Sequence, residues 1–178
     1  MNLSELLSTK KREEILSEIL FREEQISVAA ISKSIKLSKG FVSRFFVMLT
    51  RQKIMKKSKK KYAVADNFNV RILKILFNLK QFSGFNFKKY TFVKGVGLYG
   101  SCAKGENSES SDVDICIAVE TIEEENLAKL TRALKNKSGK ISPLYVTKEK
   151  LEVLKKDDPL FFYSIIFGSI KLYGEDFV

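Results

Sequence analysis

The sequence predicts an α+β protein of two domains: a helical N-terminal domain with a small β-hairpin, then a C-terminal domain in which strands alternate with helices. Three observations support this. The chain has 178 residues, 44% of them hydrophobic and 30% charged, which is enough for two small cores and typical of a globular chain. Its charge is divided unevenly: residues 1–83 carry 18 Lys+Arg against 7 Asp+Glu, whereas residues 84–178 carry 14 of each, so the whole net charge of +11 lies in the first part. Apolar residues recur at helical spacing through most of that basic part, while the second part opens on strand-like runs. The boundaries expected are 1–65 for the first domain, 66–83 for a linker helix and 84–178 for the second domain.

Composition excludes whole classes of chemistry. The chain has no histidine, which rules out a Ser-His-Asp triad, a Cys-His pair and any histidine-bearing metal site. Cys102 and Cys116 are not in C-x-x-C spacing, and the N-terminus lacks a basic segment followed by an apolar signal core. The apolar runs are too short to span a bilayer. A reducing cytoplasmic compartment is therefore expected, with no membrane partner.

In the basic half, Ile15, Leu16, Ile19 and Leu20 mark an amphipathic helix over Lys10–Glu24. Ser27 can cap a short second helix with Val28, Ile31 and Ile35 as its apolar members. Ser38 can cap a third, in which Val42, Phe45, Phe46 and Leu49 form the buried face and Lys39, Gly40, Ser43 and Arg44 the opposite one. Lys53–Lys57 and Lys61–Val64 read as two strands around a tip in which five of six residues, 56–61, are lysine. Charge of one sign concentrated this way points to a polyanion, with nucleic acid ahead of an anionic membrane surface. Helix, helix, helix, basic hairpin over Ile26–Ala65 resembles the winged helix-turn-helix of prokaryotic transcription regulators, most closely at Ser38-Lys39-Gly40-Phe41-Val42-Ser43-Arg44. The resemblance implies double-stranded DNA as partner. Lys39, Ser43 and Arg44 would lie at the major groove, and Lys56, Lys57, Lys59, Lys60 and Lys61 on phosphates. A fold of this kind can also serve protein contacts. The linker helix, apolar on more than one face, should be covered from both sides, either between domains or in a homodimer.

The second half places Gly100-Ser101 at the end of the strand-like run Thr91–Tyr99, with Asp112-Val113-Asp114 about ten residues on. Alternation puts Asp112 and Asp114 on one face of a strand. Two neighbouring carboxylates repel, and a hard divalent cation, Mg²⁺ or Mn²⁺, makes both anionic forms favourable. Backbone N–H groups at Gly100-Ser101 suit phosphate. Taken together, apolar strand, Gly-Ser, spacer and Ser-Asp-x-Asp resemble the DNA polymerase beta superfamily, and more narrowly its minimal nucleotidyltransferase domains, over roughly residues 90–175. The resemblance implies a mixed sheet flanked by helices. It also implies transfer of a nucleoside monophosphate from a nucleoside triphosphate to a hydroxyl, with Asp112 and Asp114 catalytic and metal-binding, and Gly100, Ser101 and Ser111 nucleotide-binding.

The family usually adds a third carboxylate on a later strand. The corresponding stretch here, Gly139–Thr147, contains no acid, and Ser142 falls at the position in question. Glu149 and Glu152 belong to the following helix. Two readings follow: an enzyme slowed by the missing ligand, whose acceptor could be a toxin or another protein, or a transcription regulator whose second domain senses nucleotide or dimerises. The remaining acids read as structural. Glu123, Glu124 and Glu125 fall in the first turn of a helix over Ile122–Lys137, and Asp157-Asp158-Pro159 starts a helix over Leu160–Phe167.

Overall fold

The computed structural model describes residues 1–177, which fall into two compact units, Met1–Phe77 and the remainder from Asn78. Three capped helices build the first. α2 (Lys10–Ile19) starts at Thr9, α3 (Val28–Ser34) at Ser27 and α4 (Lys39–Arg51) at Ser38, each cap accepting a hydrogen bond from a backbone N–H three residues on. Ile15, Leu16, Ile19, Leu20, Ile31, Val42, Phe45, Phe46 and Leu49 all enter one core. A further turn of helix, α1 (Leu3–Leu6), precedes them and buries Leu6. α2 stops at Ile19 rather than Glu24, because Arg22 turns back to donate from Nε to the Glu18 carbonyl at 3.0 Å and the polar residues beyond have nothing to bury.

β1 (Met55–Ser58) and β2 (Lys61–Val64) pair antiparallel, with Lys59-Lys60 as a two-residue turn. β1 begins at Met55 and not at Lys53, since Lys53 takes a left-handed φ of 60° to leave α4. Met55 and Tyr62 anchor the hairpin in the core, and Ile26 exchanges two backbone hydrogen bonds with Tyr62, tying the hairpin to the entrance of α3. α5 (Phe68–Lys80) is shorter than the 66–83 expected. Val70 and Leu73 are buried, but Phe68 and Leu76 are exposed, so it is not covered all round.

The second unit is a four-stranded sheet in the order β5-β4-β3-β6, formed by β3 (Val93–Leu98), β4 (Val113–Val119), β5 (Ile141–Val146) and β6 (Ile170–Gly174). β4 and β5 are parallel and the other pairs antiparallel, which makes the sheet mixed. Between the strands run α6 (Gly100–Lys104), α7 (Glu124–Lys137), α8 (Lys148–Asp157) and α9 (Pro159–Ile166). α7 starts at Glu124 rather than Ile122, which is exposed, and Glu123 stands at its N-cap. Asp158 caps α9. Alternation along β4 divides the core: Val113, Ile115, Ile117 and Val119 pack with Leu130 and Leu134 of α7. Cys116 and Ala118 pack with residues of α8 and α9. Asp114 has the parity of the second set.

Candidate active site

β3 ends where β4 and β5 begin, and the candidate residues meet at that end of the sheet. The Tyr99 N–H donates to the Asp114 carbonyl at 3.0 Å, holding the turn after β3 against the first residues of β4. The chain then reverses at Gly100, whose φ of 67° lies in the left-handed region. The turn requires glycine, and a Cβ there would stand 3.0 Å from Asp114 Oδ2 and crowd the carboxylate. α6 starts there without a side-chain cap and ends at Gly105 in the left-handed conformation.

Asp112 lies one residue before β4 and is exposed, whereas Asp114 is on the strand and half-buried. Burial, and then the charge of Asp112, raise the Asp114 carboxyl above its ordinary range. The two carboxylates are thus brought together as expected, although only one of them belongs to the strand. Burial drives the Cys102 thiol up to about 11, with Asp114 adding to the effect. Cys116 is pushed up to about 12 by burial. Both thiols are therefore packing groups rather than nucleophiles at neutral pH.

Ser142 is the parallel-register partner of Asp114 and is exposed. No acid stands there, and among the described residues no cluster of three metal-ligating side chains occurs. Ser111 works inside the loop before β4, its Oγ accepting from the Ser108 N–H at 2.9 Å.

One contributor had no signal in the sequence. Asn78 and Asn107 are 4% and 5% exposed and exchange two amide hydrogen bonds, of 2.9 and 3.1 Å. Asn78 also donates to the Cys102 carbonyl at 2.9 Å. This pair fixes α6 and the loop that delivers Asp112. In the N-terminal unit, Lys39 and Arg44 of α4 are exposed and Ser43 half-buried. Lys56, Lys57, Lys59, Lys60 and Lys61 all face solvent, with Lys57 Nζ 5.8 Å from the Tyr62 ring centre.

The structure thus sets a glycine turn beside two aspartates at one end of a mixed sheet. The chain belongs to the family described as Polymerase beta, Nucleotidyltransferase, whose model matches residues 86–177. No curated protein matches it. The family generally uses divalent metal ions, and its domain implies a nucleotide substrate. The residues present fit such an ion: two hard oxygen donors that repel when both are charged, and a space beside Asp114 Oδ2 that any Cβ at position 100 would fill. No described helix is long and apolar enough to cross a membrane.

Proposed function

We propose that the protein is a DNA-binding nucleotidyltransferase that binds a magnesium nucleoside triphosphate and transfers its nucleoside monophosphate slowly to a hydroxyl acceptor. The observation that carries this reading is the left-handed Gly100 turn, where a Cβ would crowd Asp114 Oδ2, with the Asp112 charge acting on Asp114. Asp112 and Asp114 would hold Mg²⁺ or Mn²⁺, which when bound neutralises charge developing on the phosphates. Gly100 and Ser101 would orient the triphosphate through backbone N–H groups and the Ser101 hydroxyl. In the transfer, an acceptor oxygen forms a bond to the α-phosphorus while the bond from that phosphorus to the bridging oxygen breaks. Pyrophosphate leaves with the electron pair, and the acceptor proton passes to water because Ser142 is no base at neutral pH. Losing a carboxylate that activates the attacking oxygen costs on the order of 10²–10⁴ in rate, which is why transfer is slow.

The N-terminal unit would act as a winged helix, with Lys39, Ser43 and Arg44 toward base edges and the hairpin lysines on phosphates. In this reading the protein works in the cytoplasm. The serine opposite Asp114 also favours a second reading, a transcription regulator whose second domain senses nucleotide or joins two copies. Calorimetry with Mg²⁺ and each nucleoside triphosphate tests both. Binding lost in Asp112→Asn, together with pyrophosphate release, supports the enzyme; binding without release supports the sensor. No binding at all leaves only a scaffold.

A further inference from the structure

The two most exposed large apolar side chains among the described residues, Leu160 and Phe167 at 84% and 78%, lie at the two ends of one short helix, α9. Residues 159–170 carry no charged side chain in a chain that is 30% charged. The inner side of α9 buries Phe162 and Ile165 in a cluster with Cys116 of β4 and Val146 of β5. Leu160, Tyr163, Ser164 and Phe167 are left on its outer side, at the i, i+3, i+4, i+7 spacing of a helix seam. The Tyr163 and Phe167 rings stack with centres 5.7 Å apart, which joins them into one surface. Ser164 Oγ donates to the Phe161 carbonyl at 2.7 Å, so the hydroxyl within the stripe is already satisfied by its own helix. A contiguous apolar stripe of this kind marks an interaction surface.

The two ends of the stripe complement each other. Ahead of Leu160, the last turn of α8 presents Lys155 and Lys156, both exposed and without an ion pair among the described residues. At the other end a cavity of about 220 Å³ opens beside Phe167, with Ile166, Phe177 and Glu175 among its walls. Glu175 is exposed and has no ion pair among the described residues, whereas Asp176 beside it is held by Lys171 at 2.6 Å. One end thus carries an apolar knob with two free cations, and the other a hole with a free anion. Such a face fits itself when turned end for end, which is what a two-fold contact between identical chains requires. We propose that the outer face of α9 pairs antiparallel with the same face of a second copy. Leu160 then enters the partner's cavity, Lys155 and Lys156 face the partner's Glu175, and Ser164 falls near the two-fold axis. This rests on the reading in which the second unit joins two copies, and it holds whatever that unit does with nucleotide.

Sedimentation of the full chain at rising concentration should show a monomer–dimer equilibrium. Leu160→Glu should weaken it about tenfold or more with an unchanged circular dichroism spectrum, because the side chain it replaces is already in water. Leu160→Met should leave the equilibrium in place. Lys155→Glu with Lys156→Glu should weaken it too, and adding Glu175→Lys should restore it. Under mild oxidation Ser164→Cys should link two copies covalently, whereas Leu160→Cys alone should not. In an antiparallel pair the two Leu160 positions stand about 10 Å apart along the axis, beyond the reach of a disulfide. Cys102 and Cys116 are buried and stay out of the reaction. A wild type that remains monomeric overturns both this proposal and the reading in which two copies join. A dimer that Leu160→Glu leaves intact, or that Ser164→Cys does not link, overturns the proposal alone and leaves that reading to another face. Linking through Leu160→Cys alone also overturns it, since the two helices would then run parallel.

Discussion

Asp114 sits half-buried against the Gly100 turn with Asp112 adding like charge, so in the metal-free protein its ionised form is disfavoured. Asp114→Asn removes that repulsion at nearly constant shape. The variant should melt above the wild type in a metal-free thermal scan, yet bind magnesium nucleotide at least about tenfold more weakly, because a neutral amide is a poor ligand for a hard cation. Ser142 offers the opposite experiment. It stands in register with Asp114, so Ser142→Asp places a carboxylate where only a hydroxyl stood. Pyrophosphate release should rise by about tenfold or more if activation of the acceptor limits the rate. The Asn78–Asn107 pair calls for a stability measurement. Asn107→Ala removes both hydrogen bonds to the buried Asn78 amide, which keeps its bond to the Cys102 carbonyl, and should cost about 1–3 kcal/mol in urea unfolding.

The hairpin of β1 and β2 is the element most exposed to charge arguments. Its anchors, Met55 and Tyr62, are buried, while its lysines are all in solvent, Lys59 and Lys60 at the two-residue turn and Lys56, Lys57 and Lys61 on the strands. Lys59→Glu with Lys60→Glu should leave the melting temperature close to the wild type, since surface charges contribute little to stability. DNA affinity should fall, and the slope of log affinity against log salt should drop by about one for each lysine that touches phosphate. An unchanged slope in a gel-shift series would show that the hairpin does not contact the backbone. α4 is held differently: Ser38 caps it, and Ser38→Ala should cost about 1 kcal/mol while leaving the hairpin lysines where they are.

Across the whole molecule, positive charge is concentrated in the first half and the two aspartates lie in the second, so the proposed polyanion binding and nucleotide binding should be separable by substitution. If the two are energetically coupled, a saturating magnesium nucleotide must change DNA affinity by the same factor that DNA changes nucleotide affinity. Measuring both arms of that cycle distinguishes a regulated DNA-binding protein from a transferase merely carried to its substrate.

Most elements were legible because their signals are local. Ser27, Ser38 and Asp158 each begin a helix by bonding an amide three residues away, and Ile15, Leu16, Ile19 and Leu20 share a face at any helical spacing. Element ends were less legible: α2 closes at Ile19 through Arg22, and β1 waits for Met55 because Lys53 turns. The Gly-Ser turn and the two aspartates could be read as one site because their spacing along the chain reflects a strand, a short helix and a return strand. Chain order alone therefore determined most of the two units' elements, though not α1, together with the charge division and the carboxylate pair. Tertiary structure decided what depends on contacts between distant residues: the Asn78–Asn107 pair, the Asp114–Ser142 register set by a parallel crossover, and which apolar face of α9 stays uncovered. Those features have no sequence period, since they arise only when the sheet pairs and its helices pack across it.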